Sequence, residues 1–261
     1  MRNTVYVKES IETLLGKHDS LCLHHGSIVK RPEMVCLERV IHLYLNDKSI
    51  GSLVASPSQL RELGAGFVIS EGLAGDIEDV VAYGNEVKVY GGKVERRKRS
   101  VTGSSGGISF GKIIRKIDSN LTIEQEDIFL VIAGIVSELW EKTGGAHCSV
   151  LFSGRKIVAK SSDVGRHNTV DKVIGSCVLN GIDPSACVLG CTGRQPAGMV
   201  SKAINAGIPI IISKAATTDE GIKLAEEAGL TLVCRVKEDR FCVYSHPWRI
   251  RDLAEEESVT G

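Results

Sequence analysis

Ten consecutive residues, Asp163-Val164-Gly165-Arg166-His167-Asn168-Thr169-Val170-Asp171-Lys172, hold two carboxylates, two permanent cations, a histidine and an asparagine with only two aliphatic side chains. Such groups can bind an anion, move a proton or orient a ligand, so the run is a candidate site. Its surroundings decide where those groups point. Val170, Val173, Ile174, Cys177 and Val178 repeat at the spacing of one buried helix face. Asn168 is the expected N-cap, Asp171 then sits near the positive helix end, and Gly181 closes the helix. Upstream, Lys156 to Lys160 reads as a strand after the Ser153-Gly154 turn. Asp163 to His167 is left as a strand-to-helix loop, where α/β folds carry ligands. The plainer alternative is an Asx-capped loop in which Arg166 and Asp163 only pair with each other.

The run also resembles the most distinctive motif of the FdhD family, the formate dehydrogenase accessory proteins. Glu38-Arg39-Val40 to Gly72, Thr143-Gly144-Gly145-Ala146-His147 and Met199 to Tyr244 resemble family segments in the same order. The resemblance implies a cytoplasmic, homodimeric protein that binds Mo-bis(molybdopterin guanine dinucleotide), with GDP as a partial mimic. It further implies transfer of sulfur to that cofactor from a cysteine desulfurase, before insertion into formate dehydrogenase. Cys234-Arg235-Val236-Lys237-Glu238-Asp239 matches the family's cofactor-binding stretch; by its residues alone it is a strand end and an exposed hairpin turn.

One departure bears on the chemistry. The family carries a Cys-x-x-Cys, with the persulfide-bearing cysteine, in a glycine and serine loop. Here that loop, Thr102 to Gly111, has Gly106 at the first position and Ser109 at the second, allowing for a one-residue insertion at Phe110. Neither residue can hold a persulfide. Sulfur relay would need another accessible thiolate, favoured by a cation or a helix N-terminus. Cys191, just before Thr192-Gly193-Arg194, is the first candidate, and Cys148, beside His147, the second. The alternative is a cofactor chaperone without sulfurtransferase chemistry.

Composition narrows the rest. The chain has 261 residues, with 32 Lys and Arg against 32 Asp and Glu, so no global field draws it to nucleic acid or an anionic membrane. No run approaches the ~20 apolar residues of a membrane span, and the first residues lack a signal core, which predicts a cytoplasmic protein. The eight cysteines include no Cys-x-x-Cys and are expected as reduced, mostly buried thiols.

The elements that must position the site alternate along the chain. A short helical segment near Ile11 to Leu15 opens it, and the first thirty residues read as peripheral. A hairpin is expected from Leu37 to Ala55, and Ser56-Pro57-Ser58-Gln59 reads as the cap of a helix ending near Glu71 and Gly72. Gly64 and Gly66 inside that helix cost propensity and suggest close backbone packing. Strands near 80–83, 86–90 and 93–100 follow; the last is the one basic cluster, either an anion-binding stripe or a guarded edge strand. Thr122-Ile123-Glu124-Gln125 is expected to cap a long helix with Ile128, Ile132, Ile135, Val136 and Leu139 on its buried face, ended by Gly144-Gly145.

Beyond it, strand-helix-strand units predict a largely parallel sheet covered by helices. The expected fold is α/β: a smaller N-terminal α+β hairpin-and-helix domain (1–100), a loop and linker (101–121), and a domain (122–261) for which the resemblance implies three-layer cytidine-deaminase-like architecture. Ligands bind beyond the carboxyl ends of such strands. Three loops qualify, and Arg166, His167, Arg194 and Lys214 are their candidate anion contacts beside Asp163. A deaminase-type zinc site is not expected. His147 lacks a glutamate two positions on, and Cys187 and Cys191 are too widely spaced, so no metal ligand is assigned.

Overall fold

The structure, a computed structural model, describes residues 10–92, 99–101, 108–110, 116–251 and 253. The basic run 93–98, Gly106 and the Ser109 side chain lie outside the described residues. A short 3-10 turn (Ile11–Leu14), capped by Ser10, leads into β1 (Leu15–His24) and β2 (Ser27–Cys36), an antiparallel hairpin. β3 (Arg39–Leu45), β4 (Lys48–Ala55), α1 (Leu60–Ser70), β5 (Asp79–Tyr83) and β6 (Glu86–Tyr90) follow, the strands forming a sheet in the order β4-β3-β6-β5. β7 (Arg99–Val101) pairs with β8 (Ile108–Phe110).

The remainder comprises α2 (Gln125–Gly134), α3 (Glu138–Thr143), β9 (His147–Ser153), β10 (Lys156–Asp163), α4 (Arg166–Leu179), β11 (Val188–Cys191), α5 (Ala197–Asn205), β12 (Ile210–Ser213), α6 (Asp219–Ala228), β13 (Thr231–Cys234) and β14 (Cys242–Ser245). Its six strands lie in the order β10-β9-β11-β12-β13-β14. Alternation along the strands feeds two cores. Leu189, Ile211 and Leu232 pack with α4, α5 and α6, whereas Val188, Ile210, Ile212 and Val233 pack with α2. The chain is thus a mixed α/β protein. Among the described residues no helix is long and apolar enough to cross a membrane.

Several expectations shift. The six-stranded sheet is mixed rather than largely parallel: only β11-β12 and β12-β13 are parallel, because the short 153–156 turn and the 235–241 connection return the chain antiparallel. The first thirty residues hold a hairpin of ten-residue strands. The long helix expected from 122 is two helices, with Ser137 capping the second, and Val136 in the break is exposed while Val131 is buried. Glu124 and Asp127 form the capping box, two positions later than expected. Ser56 does not cap α1. Its Oγ accepts from the Val164 N–H, and Gln59, in the left-handed region, precedes the helix instead.

Helices α1 and α4 cross back to back and join the two sheets. A Cβ on Gly66 would fall on the Asp171 carbonyl, and one on Gly175 on the Glu62 carbonyl. A Cβ on Gly64 would press on the Val87 side chain of β6. The propensity lost at these glycines is the condition for the contact, as expected for Gly64 and Gly66.

Candidate functional site

Strand direction collects the loops. β11, β12 and β13 run parallel and end at Cys191, Ser213 and Cys234 on one side of the sheet. β9 is antiparallel to β11 and so starts there, at His147; β10 reverses again and ends there, with Asp163 opposite His147. The loops are then stitched together. Thr192 N–H donates to the Cys148 carbonyl at 3.0 Å, its Oγ1 accepts from Cys148 N–H at 3.0 Å, and His147 Nδ1 lies 3.1 Å from the same hydroxyl. Lys214 N–H donates to Cys191 O, Ser213 Oγ to Gly193 O, and Val236 N–H to Ser213 O.

The Asp163–Lys172 run divides by burial. Asp163, Asn168, Asp171 and Lys172 are buried and serve the fold. Asp163 does not pair with Arg166. Its carboxylate accepts from Lys172 Nζ at 2.6 Å and from the N–H groups of Ser56 and Gly165 at 3.0 and 2.8 Å. It also accepts from Asn168 Nδ2 at 2.8 Å. Asn168 is inside the first turn of α4, not its cap; Gly165 is the N-cap, and the Asn168 amide reaches back to Val54 O. Asp171 takes Lys202 Nζ at 2.8 Å and the Ser70 hydroxyl at 2.5 Å, and Glu71 takes the same ammonium at 2.7 Å. Burial alone would lower Lys202, but the carboxylates of Asp171 and Glu71 outweigh it and hold the ammonium above its usual range.

Arg166 and His167 are what remains for a ligand. Arg166 lies over Gly193, where a Cβ would press on its side chain, and burial, then the neighbouring Arg194, holds its guanidinium below the ordinary value. Its buried Nε has no partner among the described residues. Among the described residues neither Arg166, Arg194 nor Lys214 has a side-chain hydrogen bond or ion pair, although each sits on this end of the sheet. His167 is held at about 3 by burial first, then by Lys202, Arg166 and His147. Burial and Arg166 also lower His147. Both imidazoles are therefore neutral at neutral pH, and the local positive charge comes from Arg166, Arg194 and Lys214.

Two adjoining cavities open here. The first, of about 600 Å³, is bounded by Val136, Trp140, Glu141, Gly144 to Cys148, Val164, Thr192 and Lys214. The second, of about 710 Å³, is bounded by Phe129, Ile132, Val136, Lys214 and Val236 to Asp239. They share Val136 and Lys214. Each of the three loops singled out by sequence therefore reaches the first cavity, but through Val164, Thr192 and Lys214; Arg166, Arg194, His167 and Asp163 are not in its wall. Cys234 is buried and Arg235 exposed, and neither lines these two cavities, whereas Val236, Lys237, Glu238 and Asp239 all line the second. Trp140, Glu141 and Thr192 escaped the sequence reading of the site. Trp140 and Glu141 stand on the short helix α3 and Thr192 just past a strand end, where neither periodicity nor charge density marks them.

The thiol candidates are poorly placed for nucleophilic work. Cys191 is 1% exposed and Cys148 0%. Burial pushes Cys191 up to about 12 and raises Cys148 as well, so neither is a thiolate at neutral pH. Among the described residues no three His, Cys, Asp or Glu side chains are grouped so as to hold a metal ion.

Comparison with known proteins gives a consistent picture. Residues 36–251 match the model of the FdhD/NarQ family. The chain is 34% identical over 229 residues to the sulfur carrier protein FdhD of Methanothermobacter thermautotrophicus, covering 84% of this chain and 92% of that one. It is 30% identical over 253 residues to the protein of that name in Bacillus subtilis, covering 87% and 94%. A crystal structure ascribed to a formate dehydrogenase accessory protein of Desulfotalea psychrophila superposes with a TM-score of 0.79 at 28% identity, covering 91% of this chain and 99% of that one.

Proposed function

Because this chain belongs to the FdhD/NarQ family, we propose that it is an accessory protein of formate dehydrogenase whose cargo is the guanylated molybdenum cofactor, Mo-bis(molybdopterin guanine dinucleotide). The observation that carries this reading is the set of cations, Arg166, Arg194 and Lys214, that have no side-chain partner among the described residues and sit at the sheet end where two cavities meet. Unpaired guanidinium and ammonium groups beside a concave surface suit phosphate oxygens. Lys214 belongs to both cavities, and the 236–239 segment forms the wall beyond it. The same reading includes a cytoplasmic homodimer, partnership with a cysteine desulfurase, and the likeness of the six-stranded region to cytidine deaminases.

GDP is the accessible probe. Calorimetry is expected to show GDP binding that weakens in Lys214→Ala by about 1.5–3 kcal/mol, the range of a hydrogen bond to a charged group, or roughly ten- to a hundredfold. A wild-type protein that binds no GDP would remove the basis of the cofactor assignment.

Sulfur transfer, the role in the relatives' name, is a separate matter. By the resemblance, the family's cysteine positions fall on Gly106 and approximately on Ser109, and the two candidate thiols at the site, Cys148 and Cys191, are buried and protonated. The reading favoured is a cofactor chaperone that carries no persulfide. After incubation with a cysteine desulfurase and cysteine, intact-mass spectrometry is expected to find no sulfur adduct on this chain. An adduct on Cys148 or Cys191 would instead establish a relocated carrier.

A further inference from the structure

Resting on the guanine-nucleotide reading of this site, we propose that Trp140 and Glu141 are its base-recognition pair. The indole stacks on the planar base, and the Glu141 carboxylate accepts hydrogen bonds from the N1–H and the exocyclic amine of guanine. Both residues lie on α3 and in the wall of the first cavity. Leu139, fully buried with Leu14 and Ala146, fixes which side of this helix faces the core. At about 100° per residue the next two positions point away from it, toward the cavity.

The platform is rigid. Ser137 caps α3 by accepting from Trp140 N–H at 3.2 Å, and its Oγ lies 2.8 Å from Ser162 Oγ on β10. Thr143 Oγ1 donates to Leu139 O at 2.6 Å, and Gly144, at φ 65°, ends the helix. A fixed backbone leaves only the side-chain torsions to be ordered when a ligand stacks on the ring. Yet Trp140 remains 55% exposed. An indole carried on a capped helical turn and left largely uncovered beside a cavity is a stacking surface in search of a partner.

Glu141 supplies the selectivity. The adjacent acid Glu138 is engaged by Lys142 at 3.3 Å, whereas the Glu141 carboxylate has no hydrogen bond or ion pair among the described residues. Guanine presents two neighbouring N–H donors that match a carboxylate in bidentate fashion, and adenine presents an acceptor there instead. Lys214 and Thr192 line other parts of the same wall, so the cavity offers an aromatic surface and an acid for the base together with a cation for the phosphates.

Calorimetric titration of GDP, inosine diphosphate and ADP into the full chain tests this. Trp140→Ala is expected to weaken GDP about ten- to a hundredfold, Trp140→Phe to retain most of the affinity, and Glu141→Gln to abolish the preference for GDP over inosine diphosphate, which lacks the amine. Circular dichroism checks that the exposed substitutions leave the fold intact. If Trp140→Ala and Glu141→Gln bind GDP as the wild type does while Glu238→Gln loses it, the base lies in the second cavity and the proposal is overturned, though the functional reading survives. If the wild type binds no GDP, both fall together.

Discussion

Lys172→Met is expected to lower the stability of the chain by about 3–5 kcal/mol, the cost of leaving a buried charge without its partner. Domains of ordinary stability have about 5–15 kcal/mol in all, so the urea midpoint should fall steeply and the protein should be partly unfolded near physiological temperature. The reason is the environment of Asp163. It and Lys172 are both fully buried, 2.6 Å apart, with the ammonium also donating to Ser56 O at 3.0 Å. A paired variant separates two explanations. Replacing a buried ion pair by apolar residues is often neutral, so Asp163→Leu with Lys172→Met would recover stability if the pair acted only as a pair. Here it is expected not to recover, because Ser56 N–H, Gly165 N–H and Asn168 Nδ2 also donate to that carboxylate and would be stranded. Denaturation followed by circular dichroism decides it; full recovery in the double variant would reduce Asp163 to a simple counter-ion.

Gly66→Ala sets two magnitudes of opposite sign against each other. Helix propensity favours alanine over glycine by about 1 kcal/mol. Packing opposes it: the new methyl would land on the Asp171 carbonyl of α4, a backbone atom that cannot rotate aside. Overpacking costs about 1–3 kcal/mol where side chains can adjust, and more is expected where two helices must part and Ile69 of α1 is drawn away from the core it shares with Val170, Val173 and Ile174 of α4. The net result should be a melting temperature many degrees lower, with Gly175→Ala behaving alike because it meets Glu62 in the same crossing. Gly198→Ala is the control, since a Cβ there meets only His167 Nε2, at 3.9 Å. A Gly66→Ala protein as stable as the control would show that α1 and α4 slide freely.

Much of the architecture was legible because its signals are local. The α4 stripe of Val170, Val173, Ile174 and Cys177 is buried as its spacing indicates, and Gly181, expected to close that helix, follows it with positive φ. The misjudged elements share a cause. Leu21, Leu23 and Ile28 alternate in β1 and β2 but remain exposed, so the hairpin has no buried face for a pattern to reveal. The expected 122–143 helix breaks at Gly134, where a side chain would press on Ile157, a contact made across the sheet. Ser56-Pro57-Ser58-Gln59 has good capping chemistry, but Ser56 bonds Val164, 108 residues away, and long-range burial outweighed the local motif.

The sequence by itself determined the helix and strand segments after Gly145, the family, and the loops that bring chemistry to one end of the sheet. It also shows glycine and serine, and no cysteine, in the loop from Thr102 to Gly111. Tertiary structure alone decided which polar residues of the Asp163–Lys172 run hold the molecule together and which are left for a ligand. Types and spacing are the same for both roles. What divides them is how many donors other segments aim at each group: Asp163 receives four and is saturated, whereas Arg166, Arg194 and Lys214 receive no acceptor among the described residues. That count depends on chain segments distant in sequence, and only folding brings them within hydrogen-bonding reach.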